Sequence, residues 1–357
     1  MGACPGCELL PQAVAEQGVL YLCPPLGHTL GKLRQALADA GIDCDEPENG
    51  ILAVDMESCG SVRLARVFDG RLTSAEEVGT RCLHLDGPAA ISISDLGRMQ
   101  TLQTLLARAR GRWLLQMLEA SRVATYFQPI ICTERPDHVF GYECLTRGIA
   151  ADGRLVSPGE MFEVARDAGL LFQLDRALRL RHIHAAVKQE LTSKVFINFN
   201  PTAIYDPASC LKSTVQAIAN SKMRPNQFVF EVVESDTVAD PDHLPRILDY
   251  YRDHGYLIAL DDFGAGYGSV NLLTKLKPDF IKFDMHLMRD VHLDRYKALV
   301  TSRLLDMAHK LNIRTICEGI ESPQEYQWAV RHGADYVQGY LFGRPSPVPE
   351  TATMSAI

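Results

Sequence analysis

The chain has 357 residues, of which 46% are hydrophobic, 22% charged and 8% aromatic, and it carries a formal net charge of −8 at pH 7. That length buries a full core and holds one large domain with a smaller one. The acidic balance argues against a general nucleic-acid binder, whose affinity rests on counterions released by a basic surface, but it leaves room for a small anionic nucleotide held through metal ions.

The first residues, Met1 to Cys7, lack the charged and apolar regions of a signal peptide, and Gly6 stands where a myristoylation motif needs Ser or Thr. No apolar run approaches the roughly 20 residues of a membrane span, so none is expected. The ten cysteines, in a chain showing no export signal, read as reduced thiols or metal ligands, and the cytoplasm is the expected location. Cys4-Pro5-Gly6-Cys7 is a CxxC, followed by Cys23 and His28. The spacing allows a Cys₃His zinc site; the simpler alternative is a terminal segment whose thiols have no specific task.

Residues 1–95 read as a smaller α+β region, regulatory by position alone, without a haem, flavin or phosphoacceptor motif. Strand-like runs fall at Gly18–Cys23, Ile51–Asp55 and Ser61–Phe68, and an amphipathic helix runs from His28 to Ala40. Residues 96–121 read as a connecting helix, with Met99, Leu102, Leu106, Ala109 and Trp113 at nearly 3.5-residue spacing. That pattern fits a helix packed on one neighbour and leaves a dimerising helix open.

From residue 122 to 349 strand alternates with helix, and a tail follows at 350–357. Strands are expected at Thr125–Ile131, Val139–Leu145, Val195–Phe199, Phe228–Val233, Leu257–Asp262, Phe280–Asp284, Thr315–Gly319 and Tyr336–Tyr340. Helices are expected at Pro158–Ala168, Leu170–Glu190, Ser209–Asn220, Asp242–His254, Arg295–Leu311 and Pro323–Arg331. The strand runs are apolar nearly throughout, as in parallel strands covered on both faces. Eight of them over roughly 225 residues predict a TIM-like (β/α)₈ barrel, with a doubly wound sheet as the alternative.

What ends each strand carries the chemistry. Toward the carboxyl ends stand Glu143, Asn198, Glu231, the pair Asp261-Asp262, Lys282 with Asp284, Glu318 and Gln338. One charge in an apolar run is a strand cap or a paired core charge; a polar group at the same relative place in seven of eight runs is a pocket. Burying so many carboxylates without a cation is prohibitive, and oxygen-rich sets select hard ions such as Mg²⁺ or Mn²⁺. Adjacent aspartates can reach two metals, the arrangement that supports in-line attack on a phosphodiester.

At these residues the chain resembles the EAL family of cyclic di-GMP phosphodiesterases. Tyr126-Phe-Gln-Pro-Ile130, Glu143-Cys-Leu-Thr-Arg147, Asn198-Phe-Asn-Pro201, Glu231-Val-Val-Glu234, Asp261-Asp-Phe-Gly-Ala-Gly-Tyr267, Ile281-Lys-Phe-Asp284, Glu318-Gly-Ile-Glu321 and Gln338-Gly-Tyr-Leu-Phe-Gly-Arg-Pro345 stand in that family's order. The resemblance covers about residues 113–349. It implies a TIM-like barrel with its first strand antiparallel, hydrolysis of cyclic di-GMP to linear pGpG, and a homodimer. It further implies one metal on Glu143, Asn198, Glu231 and Asp261, and a second shared by Asp261 with Asp262 and, directly or through water, Glu318 and Gln338. Lys282 is implied to hold the attacking water and stabilise charge on the phosphate. Gln128, Leu145, Arg147, Asp284 and Gln338 are implied to contact substrate, and Glu234 to brace the loop after Asp262.

Departures are few. Cys144 replaces the signature's central alanine, a small side chain expected to be structural. Ala265 and Gly268 replace the usual Thr and Ser in the loop 263–269, whose order is thereby put in question, and Val233 replaces a Thr. None removes a residue the chemistry requires. A nucleotide receptor that does not cleave, acting through partner proteins, and a scaffold that binds nothing are the alternative readings.

Overall fold

A computed structural model describes residues 10, 14–87, 92–233, 240, 242–264 and 269–350. By backbone contacts these divide into two compact units, one of Val123–Arg147 with residues 175–350, the other of residues 10–122 with Gly148–Leu174. No described helix is long and apolar enough to cross a membrane.

The smaller unit is built on an antiparallel sheet. Its strands β1 (Val19–Cys23), β2 (Cys44–Glu48), β3 (Ile51–Asp55), β4 (Arg81–Leu85) and β5 (Gln100–Thr101) lie in the order β2-β3-β1-β4-β5. The helix Gly27–Asp39 joins β1 to β2, and β3 lies between those two strands, a split βαβ arrangement. Alternate residues Leu20, Leu22, Leu52 and Val54 of β1 and β3 share one core with Leu33 and Leu37 of that helix. Strand and helix periodicities thus present matching apolar faces. The outer strand β2 is largely exposed, and Asp45, Glu46, Pro47 and Glu48 make it a poor template for a foreign strand.

Two expectations fail here. The run Ser61–Phe68 is not a strand but a helix over Ser61–Val67. Its buried residues Ser61, Leu64, Ala65 and Phe68 follow helical spacing, not alternation. The stretch 96–121 is not one helix: β5 occupies Gln100–Thr101, and the helices Leu102–Arg110 and Arg112–Glu119 follow. Thr101 caps the first of these, accepting a bond from the Thr104 N–H at 3.1 Å. The break falls at Gly111, the poorest helix former short of proline.

In the larger unit all eight expected strand runs form. They are β6 (Val123–Cys132), β7 (Arg135–Ile149), β9 (Lys194–Asn198), β10 (Phe228–Val233), β11 (Leu257–Phe263), β12 (Phe280–Phe283), β13 (Arg314–Cys317) and β14 (Tyr336–Gln338), while a short β8 (Leu155–Val156) pairs with the end of β7. The order β6-β14-β13-β12-β11-β10-β9-β7 closes on itself through a β6–β7 pairing. β6 runs antiparallel to β14, and the pairs from β7 and β9 round to β13 and β14 are parallel. The chain therefore forms a TIM-like barrel with its first strand reversed. The helical stretch expected at Ser209–Asn220 is split into Pro207–Cys210 and Lys212–Ala219, and a helix not foreseen spans Ser269–Leu276.

The barrel interior is layered. Toward the amino ends of the parallel strands Phe140 stacks on Tyr336 with ring centres 3.8 Å apart, and Phe280 packs edge-on against Phe196 at 5.4 Å. Ile130, Val229, Ala259 and Ile316 complete this apolar floor, so the barrel is filled rather than hollow.

The helix Leu171–Lys188 brings a buried ion pair to the outer wall. Asp175 accepts from Arg179 Nε at 2.9 Å and from the backbone N–H of Asn200 at 2.8 Å, and Arg179 also donates to Thr214. Asp175→Ala leaves a fully buried guanidinium without its counter-charge and is expected to lower the unfolding free energy by about 3–5 kcal/mol. Urea denaturation of the two proteins side by side checks this; a midpoint equal to wild type would show that the pair contributes nothing net.

Candidate active site at the carboxyl ends of the strands

Beyond the apolar floor the interior turns polar, and register sets the neighbours. Asn198 of β9 pairs with Glu231 of β10, and the backbone N–H of Glu318 continues the β12–β13 ladder onto Phe283 O at 3.0 Å. At the centre lies Lys282, only 1% exposed. Its Nζ is 2.8 Å from Glu318 Oε1, 2.9 Å from Glu231 Oε1, 3.0 Å from Asp261 Oδ1 and 3.3 Å from Glu143 Oε2. Gln338 Nε2 donates to Glu143 Oε2 at 2.6 Å, and Asn198 Nδ2 donates to Glu231 Oε2 at 3.0 Å and Glu143 Oε1 at 3.2 Å. In this arrangement Asn198 presents its amide nitrogen to the cluster.

Adjacent residues of a regular strand face opposite sides, so Asp261 and Asp262 should not share a pocket. They do because β11 is irregular: its register against β12 shifts between Leu260 and Phe263, and Asp262 takes a left-handed φ of +53°. Such a bulge re-aims a side chain, and aspartate tolerates that backbone better than most residues. Carboxylate oxygens of Glu143, Glu231 and Asp261 lie within 4.8 Å of one another, and so do those of Asp261, Asp262 and Glu318.

Two glycines hold the neighbouring loops together. Gly319 has a φ of +66°, and a Cβ there would lie 2.4 Å from Met285 Cβ; at Gly339 it would lie 2.0 Å from Ile320 O. Without side chains the segments after β13 and β14 approach closely enough for the Ile320 N–H to donate to Gln338 O at 3.0 Å.

The electrostatics follow from crowding. Burial alone would lower the Lys282 ammonium, but Asp261, Glu143, Glu231 and Glu318 more than reverse this and hold it well above the ordinary lysine range. Burial raises Glu231 well above the usual carboxylate range and Glu318 to about 8, with Lys282 only partly opposing. Burial and then the charge of Asp261 lift Asp262 to about 6. Glu143 is the exception: burial works against it, but Lys282, Gln338 and Asn198 together hold it below its ordinary value. An ammonium has three protons, fewer than the four carboxylate oxygens that lie 2.8–3.3 Å from Lys282 Nζ. An oxygen-only set with acceptors to spare fits a hard divalent cation, so these acidic residues are placed to hold a metal ion.

The remaining expected residues are less tightly gathered. Gln128 is buried and Leu145 half-buried. Arg147 lies over the Tyr126 ring, 5.5 Å from its centre, and donates to Thr146 O at 2.7 Å; Tyr126 as the platform under that guanidinium was not singled out by sequence. Asp284 caps the helix Met285–Met288, accepting from the His286 N–H at 2.8 Å and contacting its Nδ1 at 2.6 Å. Burial pushes the Cys144 thiol well up, which makes it unreactive. Glu234 and residues 265–268 of the loop lie outside the described residues, as do Cys4 and Cys7 of the CxxC. Of that set's other members, Cys23 is exposed and His28 Nε2 lies 3.5 Å from Glu76 Oε1.

The EAL domain profile matches residues 111–345. The signaling protein YkoW of Bacillus subtilis is 27% identical over 239 residues, covering 66% of this chain and 29% of that protein. The probable cyclic di-GMP phosphodiesterase PdeB of Escherichia coli is 28% identical over 265 residues, covering 73% of this chain and 50% of its own length. The chain thus spans half or less of the length of these curated relatives. A standalone EAL protein from Vibrio cholerae O395, solved in a c-di-GMP bound form, superposes with a TM-score of 0.59 at 33% identity, over 65% of this chain and 96% of the other.

Glu318 keeps its proton up to about pH 8 in the cation-free protein, and a carboxyl group must lose that proton to serve as a ligand. Uptake of Mg²⁺ or Mn²⁺ at pH 7 is therefore expected to release protons, and apparent affinity to rise between about pH 6 and pH 8. Calorimetry in buffers of different ionisation enthalpy counts the protons. A heat independent of buffer would show that every ligand is already ionised.

Proposed function

The chain belongs to the EAL domain family, and on that premise we propose that it hydrolyses one phosphodiester bond of cyclic di-GMP to give linear pGpG. The observation that carries this reading is the convergence of Glu143, Glu231, Asp261, Asp262 and Glu318 with Lys282 at one mouth of the barrel. Each of these stands at the position of a family motif. The reading takes two cations per site, Mg²⁺ or Mn²⁺: one on Glu143, Asn198, Glu231 and Asp261, the other on Asp261, Asp262 and Glu318, with Gln338 in support. The metals, when bound, supply a hydroxide-like water and polarise the phosphate.

This chain's own residues do the rest. Lys282, held protonated by its carboxylates, cannot accept a proton at neutral pH; its task is to hold the attacking oxygen and offset negative charge growing on the phosphate. Gln338, donating to Glu143, fixes that carboxylate in place, and Asn198 would hold the cation through its amide oxygen once the amide turns from its present bonds. Arg147, spread over Tyr126, presents a planar fork suited to a phosphate or guanine edge, and Gln128, Leu145 and Asp284 complete the substrate side. A homodimer belongs to the same reading and is supported by the family resemblance alone.

Incubation of the purified protein with cyclic di-GMP and Mg²⁺ or Mn²⁺, followed by chromatography, is expected to yield pGpG. Excess chelator abolishes turnover, and Ca²⁺ supports little of it, because its longer and looser coordination suits a two-metal site poorly. No product under any of these conditions would overturn the proposal, and full turnover in a chelated sample would overturn the metal chemistry.

Glu143→Ala and Asp261→Ala should each lower kcat by at least about a hundredfold. Both should keep near-native circular dichroism and melting, because removing one carboxylate relieves like-charge crowding. A variant that cleaves at close to the wild-type rate is not altered at a metal ligand.

A further inference from the structure

We propose that His182, a residue in none of the motifs above, is a positioning residue for Arg147, and through it for the anionic substrate. The inference rests on the phosphodiesterase reading only for what Arg147 holds. His182 lies on the helix Leu171–Lys188, is 3% exposed, and bonds through both ring nitrogens. Its Nδ1 lies 2.9 Å from Thr125 Oγ1 on β6, and its Nε2 lies 3.0 Å from Thr146 Oγ1 on β7. The ring thus ties together, from outside the barrel, the two strands whose pairing closes it.

What the tie controls follows from strand alternation. Thr125 precedes Tyr126 and Thr146 precedes Arg147, and neighbours on a strand face opposite sides. Fixing the two threonines on the outer face therefore fixes Tyr126 and Arg147 on the inner one, where the guanidinium lies over the Tyr126 ring. Arg147 forms no ion pair among the described residues; it is held only by that ring and by the Thr146 carbonyl at 2.7 Å. Both of its supports are thus residues that His182 holds or their immediate neighbours. No other side-chain hydrogen bond joins β6 to β7 at this level among the described residues. Burial keeps the ring neutral, lowering it to about 3, so the bonds persist across the working pH range.

The test is a double-mutant cycle on binding, read with Ca²⁺ so that turnover does not interfere. His182→Gln is expected to raise the Kd for cyclic di-GMP about tenfold and Arg147→Ala about a hundredfold, with the double variant within about twofold of Arg147→Ala alone. Thr146→Val, which keeps the shape and removes one bond, should follow His182→Gln in direction. Additive losses, or an unchanged Kd in His182→Gln, would overturn the proposal, since a merely structural residue weakens stability without coupling to Arg147. Hydrogen exchange gives a second readout that needs no substrate. The amides of residues 144–147 should exchange faster in His182→Gln and Thr146→Val, while those of β10 are unchanged; uniform acceleration or none would count against the tie. A wild-type protein that neither binds nor cleaves cyclic di-GMP would remove the function proposed above, and the exchange pattern alone would then decide whether His182 positions Arg147.

Discussion

Everything at the barrel mouth depends on one buried ammonium. Lys282 sits where water cannot reach it, and the cost of that burial is met only by the carboxylates around it. The reverse holds equally: without Lys282, Glu143, Glu231, Asp261 and Glu318 would face one another with no counter-charge. Because those residues come from β7, β10, β11 and the end of β13, the single charge on β12 also ties distant parts of the ring across its lumen. Positioning of the acidic groups and bracing of β7, β10, β11 and β13 against β12 are therefore two results of the same interaction.

The cluster is nevertheless unbalanced by design of its chemistry. More carboxylate oxygens converge than one ammonium can satisfy, so part of the set stays protonated until another cation arrives. Below the cluster the interior is apolar, with Phe140 and Tyr336 stacked and Phe196 and Phe280 buried beside them. Polar chemistry is confined to one layer, and its electrostatic strength follows from that confinement.

Much of this was legible in the sequence because parallel barrel strands are apolar on both faces, so the runs ending in Glu143, Glu231, Asp261 or Glu318 stood out as strand with a polar end. The smaller unit was harder. Ser61–Phe68 is apolar enough to look like a strand, and its helical spacing shows only when the burial of Ser61, Leu64, Ala65 and Phe68 is known. The stretch 96–121 kept one apolar period through a strand and two helices, although only Leu102, Leu106 and Ala109 of that period are buried and Trp113, beyond the break at Gly111, is half-buried. His182 could not be found by motif at all: its partners Thr125 and Thr146 stand 57 and 36 residues away, and a histidine in a helix carries no local sign of them.

A strand of perfect alternation supplies a pocket with one group for every two residues of chain. β11 breaks that count once, at Asp262, and so places two charges where regular geometry allows one. The capacity of the mouth is thus fixed by a backbone irregularity as much as by the residues that line it. A regular backbone between Leu260 and Phe263, with every residue kept, would turn Asp262 to the outer face. It would also leave the mouth one carboxylate poorer without any change of residue. Composition alone, however well matched to the family, does not record that difference; the irregular backbone does.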